Sequence, residues 1–139
     1  MGVAITVKAY RFKENDSRSI CCKVVEGMTS LDCSLMNFQT IDIPEGVTSV
    51  NFWNCANLVN LTLPSSVTTI ENAAFVGCTS LNYIRMLPTT PPTLEGYNGQ
   101  YNNFNNSNNC PIYVPAASLT AYQTAPGWSN YASRIQVES

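Results

Sequence analysis

A chain of 139 residues, with 45% apolar and 12% charged residues, is sized and composed for one globular domain rather than a disordered segment. A net charge of -2 without any Lys/Arg cluster argues against nucleic acid as a partner, and no run of about 18 apolar residues offers a segment for membrane insertion. The lack of histidine removes the usual general base, the Ser-His and Cys-His pairs and most zinc-site patterns.

In chain order, residues 3–10 and 18–24 flank the polar stretch KENDS and predict a β-hairpin cap at the N-terminal end. The opening MGVAITVKAYRFK has no basic start followed by an apolar core and a small-residue cleavage site, so no secretion signal is expected in this chain.

Three ten-residue stretches then repeat one pattern: CKVVEGMTSL at 22–31, IDIPEGVTSV at 41–50 and LTLPSSVTTI at 61–70. Paired apolar positions carry the repeat onward, as Cys22/Val24, Ile41/Ile43, Leu61/Leu63, Ile84/Met86 and Ile112/Val114. A unit of this length cannot bury its own apolar face and must stack on copies of itself, which predicts a solenoid of about five coils. Within each pair the spacing of two is that of a strand with one buried face. A second short strand is predicted at Met28–Leu31, Val47–Val50 and Val67–Ile70, after a bend made by Gly27, Gly46, Pro44 and Pro64.

Coil length grows by insertion at one place. Phe52 and Phe75 share a slot although Asn72, Ala73 and Ala74 precede only the second, and Leu35 aligns with Cys55 and Cys78. The longest coil carries EGYNGQYNNFNNSNN at 95–109, with a turn at Asn98-Gly99 and Phe104 as its core anchor. Glu95 is the one charged ligand in that loop, which fits an outside insertion better than a cation site, and no cofactor or metal is expected. Leu119 and Tyr122, then Trp128, Tyr131, Ala132 and Ile135, have helical spacing on either side of Pro126-Gly127 and predict two short helices as a C-terminal lid. The whole chain, 1–139, therefore reads as one domain: cap 1–21, repeats 22–114, cap 115–139.

The six cysteines include no C-x-x-C. Cys55 and Cys78 in one inward slot predict buried thiols, since a bridge between parallel neighbours would be strained. The nine carboxylates are scattered, with no calcium loop and no paired-acid motif. What remains for function is the outward side of the first strands, in two columns: Cys21, Thr40, Asn60, Tyr83 and Lys23, Asp42, Thr62, Arg85, Tyr113. Interface energy concentrates on aromatic and arginine side chains, so Tyr83, Arg85 and Tyr113 are the expected centre of a binding site, with Asn60, Thr62, Asp42 and Thr40 beside them.

The stretch LVNLTLPSSVTTIENAAFVGCTSL at 58–81 resembles the BspA-type bacterial surface leucine-rich repeat, and PPTL with CPIYVPAASLTAYQTAPGWSNYASRI, within 91–135, resembles how such arrays end. The resemblance implies a β-rich leucine-rich-repeat solenoid of short parallel strands. It further implies a displayed or secreted protein of gut or oral bacteria, non-catalytic, at the cell surface or extracellular, engaged in adhesion or in binding a protein or glycan. A structural spacer, with function in flanking domains, is the alternative expectation; a carbohydrate-acting enzyme is a third.

Overall fold

The computed structural model describes residues 6–7, 10–11, 20–21, 29–96 and 103–138. Its elements are β1 (Thr6–Val7), β2 (Tyr10–Arg11), β3 (Ile20–Cys21), β4 (Ser30–Asp32), β5 (Ser49–Asn51), β6 (Asn60–Leu63), β7 (Thr69–Ile70), β8 (Tyr83–Met86), β9 (Thr93–Leu94) and β10 (Ile112–Val114). A 3-10 turn at Ala116–Ser118, the helix α1 (Leu119–Thr124), a 3-10 segment at Trp128–Arg134 and β11 (Ile135–Val137) complete the chain.

Two parallel sheets run along the repeat, one in the order β1-β4-β5-β7-β9 and the other β11-β10-β8-β6. Their registers define inward columns: Leu31, Val50, Ile70 and Leu94 in the first sheet, Leu61, Ile84, Ile112 and Ile135 in the second. All eight are buried, so the core lies between the sheets. Alternation of apolar and small polar or charged residues produces this, because successive side chains of a strand face opposite ways. The bend between the strands is stitched to its neighbour: Gly46, at φ +106°, donates its N–H to Ser66 Oγ, which in turn donates to Val47 O.

A third wall closes each coil. Cys33 N–H bonds Asn51 O, Phe52 N–H bonds Ala74 O and Phe75 N–H bonds Asn103 O, which stacks Cys33, Phe52, Phe75 and Phe104 in one slot. The rings of Phe52 and Phe75 lie 5.8 Å apart and those of Phe75 and Phe104 5.0 Å apart, each pair tilted by 10°. Glu71 N–H still bonds Val50 O, so residues 72–74 are the insertion read from the sequence. Met36, rather than Leu35, shares the slot of Cys55 and Cys78: all three N–H groups bond back three residues, to Cys33, Phe52 and Phe75 O respectively. Leu35 instead takes the turn position before it, at φ 66°, and is exposed.

The structure differs from the sequence reading in three further places. Residues 41–44 form no strand, although Ile41 is buried and Ile43 packs on the core. The second strands begin later than their apolar ends suggested, at Ser30, Ser49 and Thr69, with Val47 and Val67 buried just ahead of them. Ile135 ends no helix; it starts β11, which pairs in parallel with β10. The lid is otherwise helical as expected, with Trp128 Nε1 donating to Pro92 O at 2.7 Å and the Tyr122 hydroxyl to Pro88 O at 2.6 Å. Those two bonds satisfy the polar tips of two fully buried rings.

At the other end, β2 and β3 pair antiparallel, as the hairpin reading required, while β1 joins β4 in the first sheet. The Cys22/Val24 pair, Lys23, Gly27, Met28 and the Asn98-Gly99 turn lie outside the described residues.

Candidate functional site

The second sheet carries the centre of the predicted site. Register pairs Asn60 with Tyr83, and Thr62 with Arg85, Tyr113 and Gln136 in one outward row. Cys21 lies on β3, which pairs with β2 in the hairpin. Tyr83 and Tyr113 rings sit 6.1 Å apart at 48°, and the Arg85 guanidinium lies 4.8 Å from the Tyr83 centroid. All three side chains are half-buried on the sheet surface.

Arg85 is not free to reach outward. Its Nε donates to Glu138 Oε1 at 2.7 Å, Nη2 donates to Glu138 Oε2, and Nη1 donates to Thr62 Oγ1 at 3.3 Å. Bidentate pairing fixes the planar guanidinium in one orientation. Helical spacing that extends to Ile135 hides Glu138 from a sequence reading. The run Ile135-Gln136-Val137-Glu138 also reads as a strand with period two, and that alternation is the available signal.

Thr40 and Asp42 stand on the preceding coil. Val59 N–H bonds Gln39 O at 2.9 Å, which sets residues 40–43 alongside 60–63. Between these segments runs a groove of about 380 Å³ bordered by Thr40, Asp42, Asn60, Thr62 and Tyr83, with Ile41, Ile43 and Leu61 in its lining. Five of the seven predicted residues therefore border one groove, whereas Arg85 and Tyr113 lie beyond it towards β11.

Glu45 also borders the groove. Its carboxylate accepts from Ser65 N–H at 3.0 Å, from Ser65 Oγ at 2.9 Å and from Ser66 N–H at 3.1 Å. Those hydrogen bonds, Ser65's side chain first, hold its carboxyl below the usual range. Among the described residues no group of three or more His, Cys, Asp or Glu side chains is disposed to hold a metal. No described helix is long and apolar enough to cross a membrane.

Parallel two-sheet coils with a stacked aromatic slot and a helical lid define a repeat solenoid that presents a regular sheet face. A family model described as BspA type Leucine rich repeat region (6 copies) matches residues 32–116. The chain belongs to that leucine-rich-repeat family. No curated protein matches it.

Proposed function

We propose that this protein is a non-catalytic protein-binding or adhesion module of a bacterial cell-surface or secreted protein, and that it binds through the outward face of β6, β8, β10 and β11. The observation that carries this reading is the Tyr83–Arg85–Tyr113 cluster, two tilted aromatic rings and an oriented guanidinium on the outward side of the sheet. Binding energy concentrates on such residues.

The other sheet gives the contrast. Its outward row at the same depth is Ser30, Ser49, Thr69 and Thr93, the composition of a spacer face. Family membership supports a binding role in general terms and names no ligand. The test is a host-protein array probed with the parent chain and with a Tyr83→Ala/Arg85→Ala/Tyr113→Ala variant shown to be folded. Loss of the captured proteins by the variant supports the reading; unchanged capture refutes it.

A further inference from the structure

We infer that the groove between residues 40–45 and β6 is a binding site for one neutral sugar ring, an assignment that deepens the binding-module reading and rests on it.

The groove is bounded at both ends by hydrogen bonds between its two walls. At one end Val59 N–H reaches Gln39 O, and at the other the Glu45 carboxylate clasps Ser65 and Ser66. Between these pins, among the described residues, no backbone hydrogen bond joins 41–44 to β6. The missing ladder is why Ile41 and Ile43 fail to form a strand, and it leaves a preformed opening rather than one a ligand must create.

Three of its polar side chains are uncommitted among the described residues, whereas Thr62 accepts from Arg85 and Glu45 from the serine turn. The three, those of Thr40, Asp42 and Asn60, make no hydrogen bond or ion pair among the described residues. Comparable side chains elsewhere on the coils are engaged: Asp32 accepts from Ser34 N–H, Asn51 from Trp53 N–H, and Glu71 from the Ser49 hydroxyl. Asp42, Asn60 and Thr40 are a carboxylate, an amide and a hydroxyl within one opening, with Tyr83 at its edge and Ile43 and Leu87 as its accessible apolar side chains.

A sugar ring matches this composition. Its rim of hydroxyls donates to carboxylate oxygens and exchanges hydrogen bonds with amides and hydroxyls, while its C–H face packs on aliphatic and aromatic carbon. Competing ligands fit less well. An anionic sugar would face Asp42 and Glu45, and Arg85 is already paired with Glu138. A divalent cation would find only Asp42 uncommitted, because both Glu45 oxygens are occupied by the serine turn. An extended peptide adding as a strand would have to part the two segments against the flanking hydrogen bonds, whereas a ring seated on the outer side of the groove need not. The volume of about 380 Å³ lies at the small end of ligand pockets, which suits a terminal or single residue.

The test is saturation-transfer NMR on the full chain with glucose, galactose, mannose, fucose and N-acetylglucosamine, and with sialic acid as the anionic control. The expected result is saturable millimolar binding of at least one neutral sugar, none of sialic acid, and a loss of about tenfold or more in Asp42→Ala and in Asn60→Ala. A Trp53→Ala change, on another side of the coils, should leave binding unaltered. Absence of saturable binding by every neutral sugar overturns the inference, as does equal binding by folded Asp42→Ala, or a sialic acid preference. If the sugars fail while the protein array still distinguishes the triple alanine variant, the sugar assignment falls and the binding-module reading stands; if neither sugars nor proteins bind, both fall.

Discussion

Arg85 on β8 is clasped by Glu138, 53 residues later and one position past β11. This contact ties the end of the repeat sheet to its middle across β10. The Arg85 hydrogen bonds, more than the charge itself, hold the Glu138 carboxyl below the usual glutamate range. A carboxyl with a depressed folded pKa contributes while ionised, so the clasp is complete above the usual glutamate value and is lost as pH falls through the lowered one. Both side chains are about a third or more exposed, at 32% and 44%, so the effect on global stability is small and salt-sensitive. The expected readout is local: at neutral pH Glu138→Gln exchanges its Arg85 Nε–H faster than the parent, and the parent's protection, taken relative to an unpaired arginine at the same pH, falls on acidification. Equal exchange in the variant and the parent would contradict the clasp.

Phe75 is the middle ring of the aromatic slot and is fully buried. Truncating it removes contacts to Phe52 below and Phe104 above at once. Phe75→Ala should cost about 3 to 5 kcal/mol, measured by chemical denaturation, a large share of the stability of a domain this size. A melting temperature within a degree or two of the parent would show that the slot contributes little.

These two contacts mark what the sequence makes legible. The phenylalanines of the aromatic slot and the apolar inward columns recur from coil to coil, so alignment of the repeats finds them, while Cys33 enters the slot only through its register with Phe52. The strand state of 41–44 is not legible, because alternation says which side chains face in and not whether two backbones approach within hydrogen-bonding distance. Ile135 serves two periods at once, that of the Trp128 segment and that of β11; the open edge of β10 decides between them. Glu138 can be found as Arg85's partner only after β11 is placed. The groove follows from none of these periodicities, since it exists where a ladder is interrupted.

Successive coils place Leu35, Asn54, Gly77 and Asn106 at one turn position, with φ of 66°, 56°, 85° and 58°. Asn and Gly enter this left-handed region readily, whereas for Leu it costs about 1 to 2 kcal/mol. Leu35 is also 66% exposed and contributes little packing in return. Leu35→Gly should therefore raise stability by about 1 kcal/mol, and Leu35→Asn should act in the same direction. Gly77→Ala should destabilise by more than the backbone strain alone, because the new Cβ would fall 1.9 Å from Asn54 Oδ1. Adding Asn54→Ala should recover the steric part only, a coupling that a double-mutant cycle of unfolding free energies measures directly. Simple additivity of the two changes would argue against the contact.

Cys55 and Cys78 remain thiols, and each donates to a carbonyl one coil away, Cys33 O at 2.9 Å and Phe52 O at 3.0 Å. Burial pushes the pKa of both thiols up to about 12, with Cys78 a lesser cause of the shift at Cys55. Since the thiolate is the reacting form, native protein at mildly alkaline pH should leave both unlabelled by a maleimide, and denaturant should expose them. Peptide-resolved mass spectrometry separates these sites from the other cysteines. Rapid native labelling at either position would show the core to be open.

The size of the binding face sets the last expectation. The four strands β6, β8, β10 and β11 are separated by three steps, about 14 Å at roughly 4.8 Å per step. Strands of three or four residues are about 10 to 13 Å long. A face of that extent offers on the order of a few hundred Å², well short of the roughly 800 Å² per partner of a standard interface. One copy should therefore bind weakly, and firm attachment should come from several copies acting together, each raising the effective concentration for the next. Comparing a monomer with an artificially clustered form on one ligand-coated surface checks this: retention should rise by about 10² or more on clustering, and a monomer already binding at nanomolar concentration would refute it.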